Sequence, residues 1–247
     1  MLNIIIPLAG PSDIFYNAGY IYPKPLIEIG NRPMIEVVLE NPAMIKGDKR
    51  FIFVVKEEDC VKFHLDNTLR LLDETAKVVV LKKKTSGALC SILMCIDLLD
   101  KNDELLVLNA DQLVDMDFNK PLDSFRKQQT DSGVVTFPSI HPRWSYARVQ
   151  DDVVVETAEK NPISNNAIAG FYYFRQTGVF FENAFAAVRK SGGIDGNYFT
   201  SFVINEYILA NKKVSFYPIE KGKYFSFYSP QMITEFENNP PLNFINK

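Results

Sequence analysis

Residues 4–35 read IIIPLAGPSDIFYNAGYIYPKPLIEIGNRPMI, and the reading of this stretch decides the fold. The strongly apolar run from Leu2 to Ile6 predicts a buried strand rather than a half-exposed one. Pro7 ends it, and Leu8-Ala9-Gly10 opens a loop of Pro, Ser, Asp, Asn and Gly. A loop that leaves the C-terminal end of the first strand of an α/β sheet is where nucleotides are usually held. Small residues such as Ala9, Gly10 and Ser12 let backbone N–H groups approach phosphate oxygens without intervening side chains. Lys24, set between Pro23 and Pro25, adds a fixed positive charge to that cradle, and Pro33 suits a first helical position. By composition alone the same stretch reads equally well as an ordinary strand, turn and helix start.

Outward from this stretch, strands and helices alternate at short intervals. Arg50–Val55 predicts a second strand and Glu57–Asp73 a helix with Val61, Leu65, Leu69 and Leu72 along one face. Lys77–Leu81 is a third strand, Ala88–Leu99 a helix with Ala88, Ile92, Cys95, Ile96 and Leu99 inward, and Glu104–Asn109 a further buried strand. This alternation through residue 110 predicts an α/β fold: a mostly parallel, Rossmann-like sheet with helices on both faces. Beyond Asp111 the pattern is mixed. Lys120–Gln129 reads as a helix and Gly133–Phe137 as a strand, and Tyr146–Val149 and Val153–Thr157 flank Asp151-Asp152 as a hairpin. Ala167–Phe174 is a strand, Val179–Arg189 and Phe199–Leu209 are helices, Lys213–Ile219 is a late strand, and residues 238–247 read as an irregular tail. The expected organisation is one domain over 1–247, with a nucleotide-binding half at 1–115 and an acceptor-binding half, carrying a smaller mixed sheet, at 116–237.

Composition narrows the class. The 247 residues are 47% hydrophobic and 23% charged, as expected of a globular chain with an ample core. A net charge of -3 argues against bulk nucleic-acid binding, and Lys82-Lys83-Lys84 reads as a solvated strand end. No stretch has the apolar length needed to cross a bilayer, and the N-terminus lacks the basic region and cleavage site of a signal peptide. The three cysteines, Cys60, Cys90 and Cys95, are sparse; Cys90 and Cys95 fall on an apolar helical segment and read as core residues, so a reducing cytoplasm is the expected location. His64 and His141 have no ligand-like spacing, and His64 falls on a predicted helix.

Pro7-Leu8-Ala9-Gly10, followed by Gly19-Tyr20, Pro23-Lys24-Pro25-Leu26-Ile27 and Pro33-Met34-Ile35, resembles the opening signature of the sugar-phosphate nucleotidyltransferases. Enzymes of that family condense a nucleoside triphosphate with a phosphorylated acceptor and release pyrophosphate. The resemblance implies that Leu8, Ala9, Gly10 and Ser12 touch the nucleotide and that Lys24 stabilises charge during transfer. The family loop usually carries a second glycine and an arginine; here the stretch is Pro11-Ser12-Asp13-Ile14-Phe15, with Ile14 where the arginine is expected.

Asp111 ends the run ELLVLNA, so it stands just past a buried strand, where a hard oxygen donor suits Mg²⁺ bridging triphosphate oxygens. By position alone it reads equally as a loop aspartate capping the next segment. The resemblance implies the metal role for Asp111 and places Asn109 beside the nucleotide. A second metal aspartate is usual in related enzymes; the comparable position here is Ser226, leaving Asp111 with phosphates and water, or a substitute such as Asp115 or Glu206. Thr85-Ser86-Gly87 lies between a strand and a helix start; the family turn reads the nucleobase, and a helix N-cap by Thr85 or Ser86 is compatible with that role.

Glu159-Lys160, a turn through Ser164, and the strand around Gly170 resemble the family's acceptor segment. Lys160 would pair with the acceptor phosphate and Glu159 would orient it; without the flanking match, a surface ion pair would be the default. Trp144, Ser145 and Tyr146 are candidates for the acceptor pocket, and a core or lid aromatic fits them equally. TSGA, NADQ, HPRWSYA and EKNPIS most resemble a capsule-locus branch, implying CTP as donor and L-glutamine phosphate as acceptor, with CDP-L-glutamine as product. A sugar-1-phosphate acceptor is the conservative alternative, and dimers fit the family. Two rivals stand outside it. A glycosyltransferase would carry an Asp-X-Asp motif, whereas the chain reads Asp111-Gln112-Leu113; a non-catalytic nucleotide binder would accommodate Ile14 and Ser226.

Overall fold

The computed structural model of the chain describes residues 1–190, 192–241 and 244. The first half runs β1 (Leu2–Pro7), α1 (Asp13–Tyr16), a small ribbon of β2 (Glu28–Ile29) and β3 (Arg32–Pro33), α2 (Met34–Ala43), β4 (Lys49–Lys56), α3 (Glu57–Phe63), α4 (Leu65–Leu72), β5 (Lys77–Leu81), α5 (Ala88–Leu93), β6 (Glu104–Leu108) and β7 (Gln112–Val114). The second continues with α6 (Asn119–Lys127), β8 (Ser132–Pro138), β9 (Ser145–Gln150), β10 (Val153–Glu159), β11 (Asn166–Phe174), α7 (Thr177–Lys190), α8 (Ser201–Leu209), β12 (Val214–Pro218), β13 (Tyr224–Ser226) and α9 (Pro230–Asn238).

The apolar N-terminal run is a central strand. β1 pairs in parallel with β4 on one side and β6 on the other, and β5 extends the parallel set beyond β4. Beyond β6 the sheet turns mixed, with β11 antiparallel to β6, β8 antiparallel to β11, and β12 parallel to β8. Burial on both faces explains the composition of β1. Leu2, Ile4 and Ile6 enter one core with Phe51, Phe53, Leu65 and Leu69, whereas Ile5 enters the opposite core with Ile52, Val54, Leu89 and Ile92. The α/β class with helices on both faces is therefore as the sequence predicts. A third core joins Phe15 of the signature loop, Leu113 of β7 and Phe236 of α9, bringing three distant stretches to one end of the sheet.

The hairpin of β9 and β10 turns through Asp151 and Asp152, both left-handed at φ 49° and 61°, as a tight two-residue hairpin requires. It joins the first half of β11 through Ala167 opposite Tyr146, while residues 171–174 of the same strand pair with β6. Gly170, at φ +55°, lies where the register of β11 against β8 shifts.

Several boundaries differ from the sequence reading. The helix expected over 57–73 is two helices, broken at His64 in the left-handed conformation (φ 55°); Leu65 and Leu69 are buried, but Val61 and Leu72 face solvent. The helix expected over 88–99 stops at Leu93 and gives way to a 3₁₀ turn at Ile96–Leu98, which leaves Ile96 exposed and Cys95 buried. Burial pushes the Cys95 thiol up to about 12, in keeping with a core residue, whereas Cys90 is only half-buried. The tail begins later than expected, because α9 runs through Asn238; residues 242, 243 and 245–247 of that tail lie outside the described residues. No described helix is long and apolar enough to cross a membrane.

A polar cluster closes the far end of the sheet. Glu104 accepts bonds from the Arg126 guanidinium (2.9 and 2.6 Å) and from the Tyr173 phenol (2.5 Å). Burial pushes the Glu104 carboxyl up, but the bonds and charge of Arg126 and the Tyr173 bond outweigh it and hold the group below its ordinary value. The folded chain thus binds this proton more weakly than the unfolded chain. Its contribution to stability is present above the unfolded glutamate pKa and is lost as pH falls through the folded one. The expected result is that Glu104→Gln lowers the melting temperature at pH 7 and flattens its decline between about pH 5 and pH 3. An unchanged acid profile in thermal melts would remove Glu104 from the explanation.

Candidate active site

The signature loop leaves the C-terminal end of β1, where the Leu8 amide donates to the Val54 carbonyl at 2.7 Å. Leu8 is buried beneath the loop, Ala9 is half-buried, and a Cβ added to Gly10 would meet no atom within 4 Å. Ser12 is buried, and its Oγ accepts the Lys24 amide at 3.0 Å, tying the loop to the Pro23-Lys24-Pro25 turn. Lys24 opens a 3₁₀ turn (Lys24–Leu26) after Pro23, which restrains its backbone. Its Nζ lies 2.8 Å from Asp111 Oδ2. Two residues 87 positions apart in sequence therefore meet where β1 and β6 end side by side. Ile14, where the family arginine is expected, is exposed on α1.

Asp111 is held from both sides. Its carbonyl accepts the Phe227 amide at 2.8 Å, and β7 beyond it pairs antiparallel with β13, setting Ser226 opposite Gln112. Ser226 is thus adjacent to Asp111, and a hydroxyl stands where the second carboxylate was sought. Of the two proposed substitutes, Asp115 lies past the other end of β7, 2.6 Å from Lys223 Nζ. It lines a cavity of about 710 Å³ with Asn41, Met44, Lys223 and Phe244. Glu206 lies on α8, 2.5 Å from Lys190 Nζ. Neither is placed beside Asp111, and no group of three or more His, Cys, Asp or Glu among the described residues could hold a metal ion. Asn109 and Gln112 both engage the backbone around Gly170: the Asn109 amide donates to its carbonyl at 2.9 Å, and Gln112 Nε2 donates to Ala169 O at 2.6 Å.

The Thr85-Ser86-Gly87 turn precedes α5, but neither hydroxyl caps the helix. Gly87, at φ +94°, is the capping residue, and Thr85 Oγ1 instead lies 2.6 Å from Ser91 Oγ. The cap comes from a distant strand of chain. Tyr198 O accepts the Leu89 amide at 3.1 Å, and Tyr198 N donates to Ser86 O at 2.9 Å. A Cβ at Gly87 would lie 2.5 Å from Tyr198 O, so this position requires glycine for space as well as for φ.

On the acceptor side, Glu159 ends β10. Its Oε2 accepts the Ser145 hydroxyl and, at 2.8 Å, the Ser201 hydroxyl, while the Tyr172 phenol stands 3.5 Å from Ser145 Oγ. Burial pushes the Glu159 carboxyl up, against the pull of those two hydroxyls and of Lys160. Lys160 follows at φ +54°, a conformation costing a non-glycine residue on the order of 1 kcal/mol. Its amide donates to Trp144 O at 3.0 Å, and its Nζ stands 5.2 Å from the Phe199 ring centroid. Trp144 packs edge-on against Tyr224 at 5.3 Å. The Tyr224 hydroxyl lies 3.4 Å from Gln112 Oε1; burial, and after it the charge of Asp111, push that phenol well above its ordinary value. Tyr224 is thus the bridge between the Lys24–Asp111 pair and the Glu159–Lys160 wall.

Two acceptor candidates are spent on bracing. Tyr146 is fully buried with its hydroxyl donating to His141 O at 2.6 Å, and Ser164 Oγ donates to Ala147 O at 2.7 Å. Ser201, Tyr198 and Tyr224 escape a sequence reading because each reaches its partner from a separate element, with no local motif to mark it.

Comparisons with known proteins bear on the fold and the family. The chain is similar in structure to a nucleoside-diphosphate-sugar pyrophosphorylase from Vibrio cholerae RC9, with a TM-score of 0.85 and 23% identity over 96% of this chain and 100% of the other. It is also similar to a UDP-glucose pyrophosphorylase complexed with UDP-glucose (TM-score 0.75, 19% identity, 99% of each chain). A third likeness is a UTP-bound UGPase from Acinetobacter baumannii (TM-score 0.72, 17% identity, 99% and 96% of the chains). At these identities the likeness establishes the fold. No curated protein matches the chain in sequence. The nucleotidyl transferase family matches residues 19–224, starting after the loop that lacks the arginine and spanning most of the 247 residues, and the chain belongs to that family.

Proposed function

We propose that the protein transfers CMP from MgCTP to a phosphorylated small-molecule acceptor, with L-glutamine phosphate as the first choice of acceptor, and releases pyrophosphate. The observation that carries nucleotidyl transfer is the Lys24–Asp111 pair at the ends of neighbouring parallel strands, reached across Tyr224 from Lys160 and Glu159. The choice of CTP and L-glutamine phosphate rests on the sequence resemblance of the TSGA, NADQ, HPRWSYA and EKNPIS segments. A sugar 1-phosphate is the second reading, favoured by the fold shared with a UDP-glucose pyrophosphorylase.

An acceptor phosphate oxygen attacks the α-phosphorus in line; that P–O bond forms as the bond to the pyrophosphate oxygen breaks. Such transfers depend on positioning and charge neutralisation and need no protein nucleophile. The backbone of Lys24 is restrained between two prolines, while its flexible side chain can exchange Asp111 for the phosphates of an entering nucleotide. Asp111 would hold Mg²⁺ through its one carboxylate, with phosphate oxygens and water as the remaining donors, and the ion would supply further neutralisation of the triphosphate. Family members generally use a divalent metal. Lys160 meets the acceptor phosphate, and Glu159, fixed by Ser145 and Ser201, orients the acceptor wall.

Lys24→Ala is expected to lower kcat by roughly 100- to 1000-fold with a smaller change in the KM for nucleotide, because the charge is needed most in the transition state. A rise in KM alone would make Lys24 a simple binding group. The reading as a whole is tested by pyrophosphate release with Mg²⁺, pairing CTP, UTP, dTTP, ATP and GTP with L-glutamine phosphate and with sugar 1-phosphates. Release with CTP and L-glutamine phosphate supports it, and release only with a sugar 1-phosphate replaces the acceptor. Silence from folded, nucleotide-binding protein overturns catalysis.

A further inference from the structure

Arg143 lies in the loop between β8 and β9, two residues before Ser145. Its guanidinium carbon stands 5.6 Å from the Trp144 ring centroid and 5.6 Å from that of Tyr228, within the range of cation–π attraction to both. Among the described residues Nη1 meets only the Met232 thioether, at 3.3 Å, and a thioether is a weak acceptor. Arg32, Arg70, Arg126 and Arg148 each pair with a carboxylate, and Arg50 and Arg175 donate to carbonyl oxygens, whereas among the described residues no oxygen accepts from the Arg143 guanidinium. A half-buried guanidinium with five donors, held by two aromatic rings and given only sulfur, is arranged for an anion the chain does not supply.

Its place in the fold says which anion. Trp144, on which it rests, accepts the Lys160 amide and packs against Tyr224, so Arg143 and Lys160 stand on the same acceptor wall. Tyr228 and Met232 belong to the C-terminal segment just past Ser226, so the guanidinium reaches from the acceptor loop across to the side of the site next to Asp111. One phosphate on the acceptor occupies Lys160. A second, fork-shaped cation is left for a planar group that can take two parallel N–H bonds.

We propose that Arg143 binds a carboxylate on the acceptor, so that the acceptor is a phosphorylated carboxylic acid rather than a sugar 1-phosphate; this rests on the nucleotidyl-transfer reading above and narrows it.

The probes are O-phospho-L-serine and O-phosphoethanolamine, which differ only in the carboxylate. Each is titrated calorimetrically into the full chain, with and without Mg²⁺ and the non-transferring α,β-methylene analogue of CTP. The wild-type protein should bind phosphoserine about tenfold or more tighter, as a charge-assisted bidentate pair requires. Arg143→Met, which keeps apolar contact with both rings, should lose that preference by weakening phosphoserine alone, and Arg143→Lys should restore part of it. A purely structural tether to α9 would weaken both probes together. Equal binding of the probes by wild type, equal weakening by Arg143→Met, or binding of neither probe by folded protein overturns the assignment. Pyrophosphate release is followed in parallel with the five nucleoside triphosphates. A carboxylate preference without release from any of them keeps the Arg143 site and discards nucleotidyl transfer; release without the preference does the reverse.

Discussion

Asp111→Asn is expected to reduce kcat/KM for pyrophosphate release by about 1000-fold, roughly 4 kcal/mol, at any magnesium concentration. The substitution preserves shape and removes only the charge, so the Phe227 amide keeps its carbonyl acceptor and β7 keeps its pairing with β13. Lys24 loses its carboxylate, but both side chains of that pair are partly solvated (18% and 22% exposed), so little stability goes with it. The test is therefore a loss of turnover without a loss of melting temperature. Ser226 beside it makes the expectation sharper, because a hydroxyl rather than a second carboxylate stands on the paired strand. Magnesium-dependent activity retained by Asp111→Asn would dismiss Asp111 as the metal residue.

Gly170→Ala should be strongly destabilising for a single added methyl, costing about 3 kcal/mol. Two independent penalties add. The backbone there is left-handed at φ +55°, which a Cβ disfavours, and that Cβ would come 2.5 Å from Asn109 Cγ and closer still to Gln112 Oε1. Those two side chains flank Asp111, so relieving the clash displaces the residues that aim it. Thermal melts and turnover should fall together; a stable, active Gly170→Ala protein would show that Asn109 and Gln112 are not fixed by this contact.

The fold was legible where burial is uniform. The strands Leu2–Ile6, Arg50–Val55 and Glu104–Asn109 carry their own apolar signal because both faces are covered, Lys77–Leu81 is legible from its β-branched run although it is a half-exposed edge strand, and the Asp-Asp hairpin carries its own turn chemistry. Helix ends were less so. Nothing in the apolar spacing of 57–73 marks His64 as a break, since Val61, Leu65 and Leu69 keep the helical interval across it. The short pairing of β7 with β13 and the helix α9 depend on contacts across more than 100 residues and leave little local trace. At the site, Lys24 and Asp111 could be named singly from their motifs, and the structure joins them. The partners of Glu159 and the cap on α5 are long-range hydroxyl and backbone contacts, made by residues ordinary in themselves. Arg143 sat unremarked inside a quoted motif because only the three-dimensional arrangement sets its guanidinium over two aromatic rings with a thioether as its hydrogen-bond partner.

Strand β11 belongs to two neighbourhoods at once, bordering β6 with one end and β9 with the other. A chain cut between residues 115 and 116 would therefore leave the first fragment with the edge of β6 bare and the second with half a strand lacking its neighbour. Neither fragment could close its own sheet. The two halves are thus expected to melt in a single transition, and two separately expressed fragments should recover activity only when refolded together, each serving as the template that completes the other.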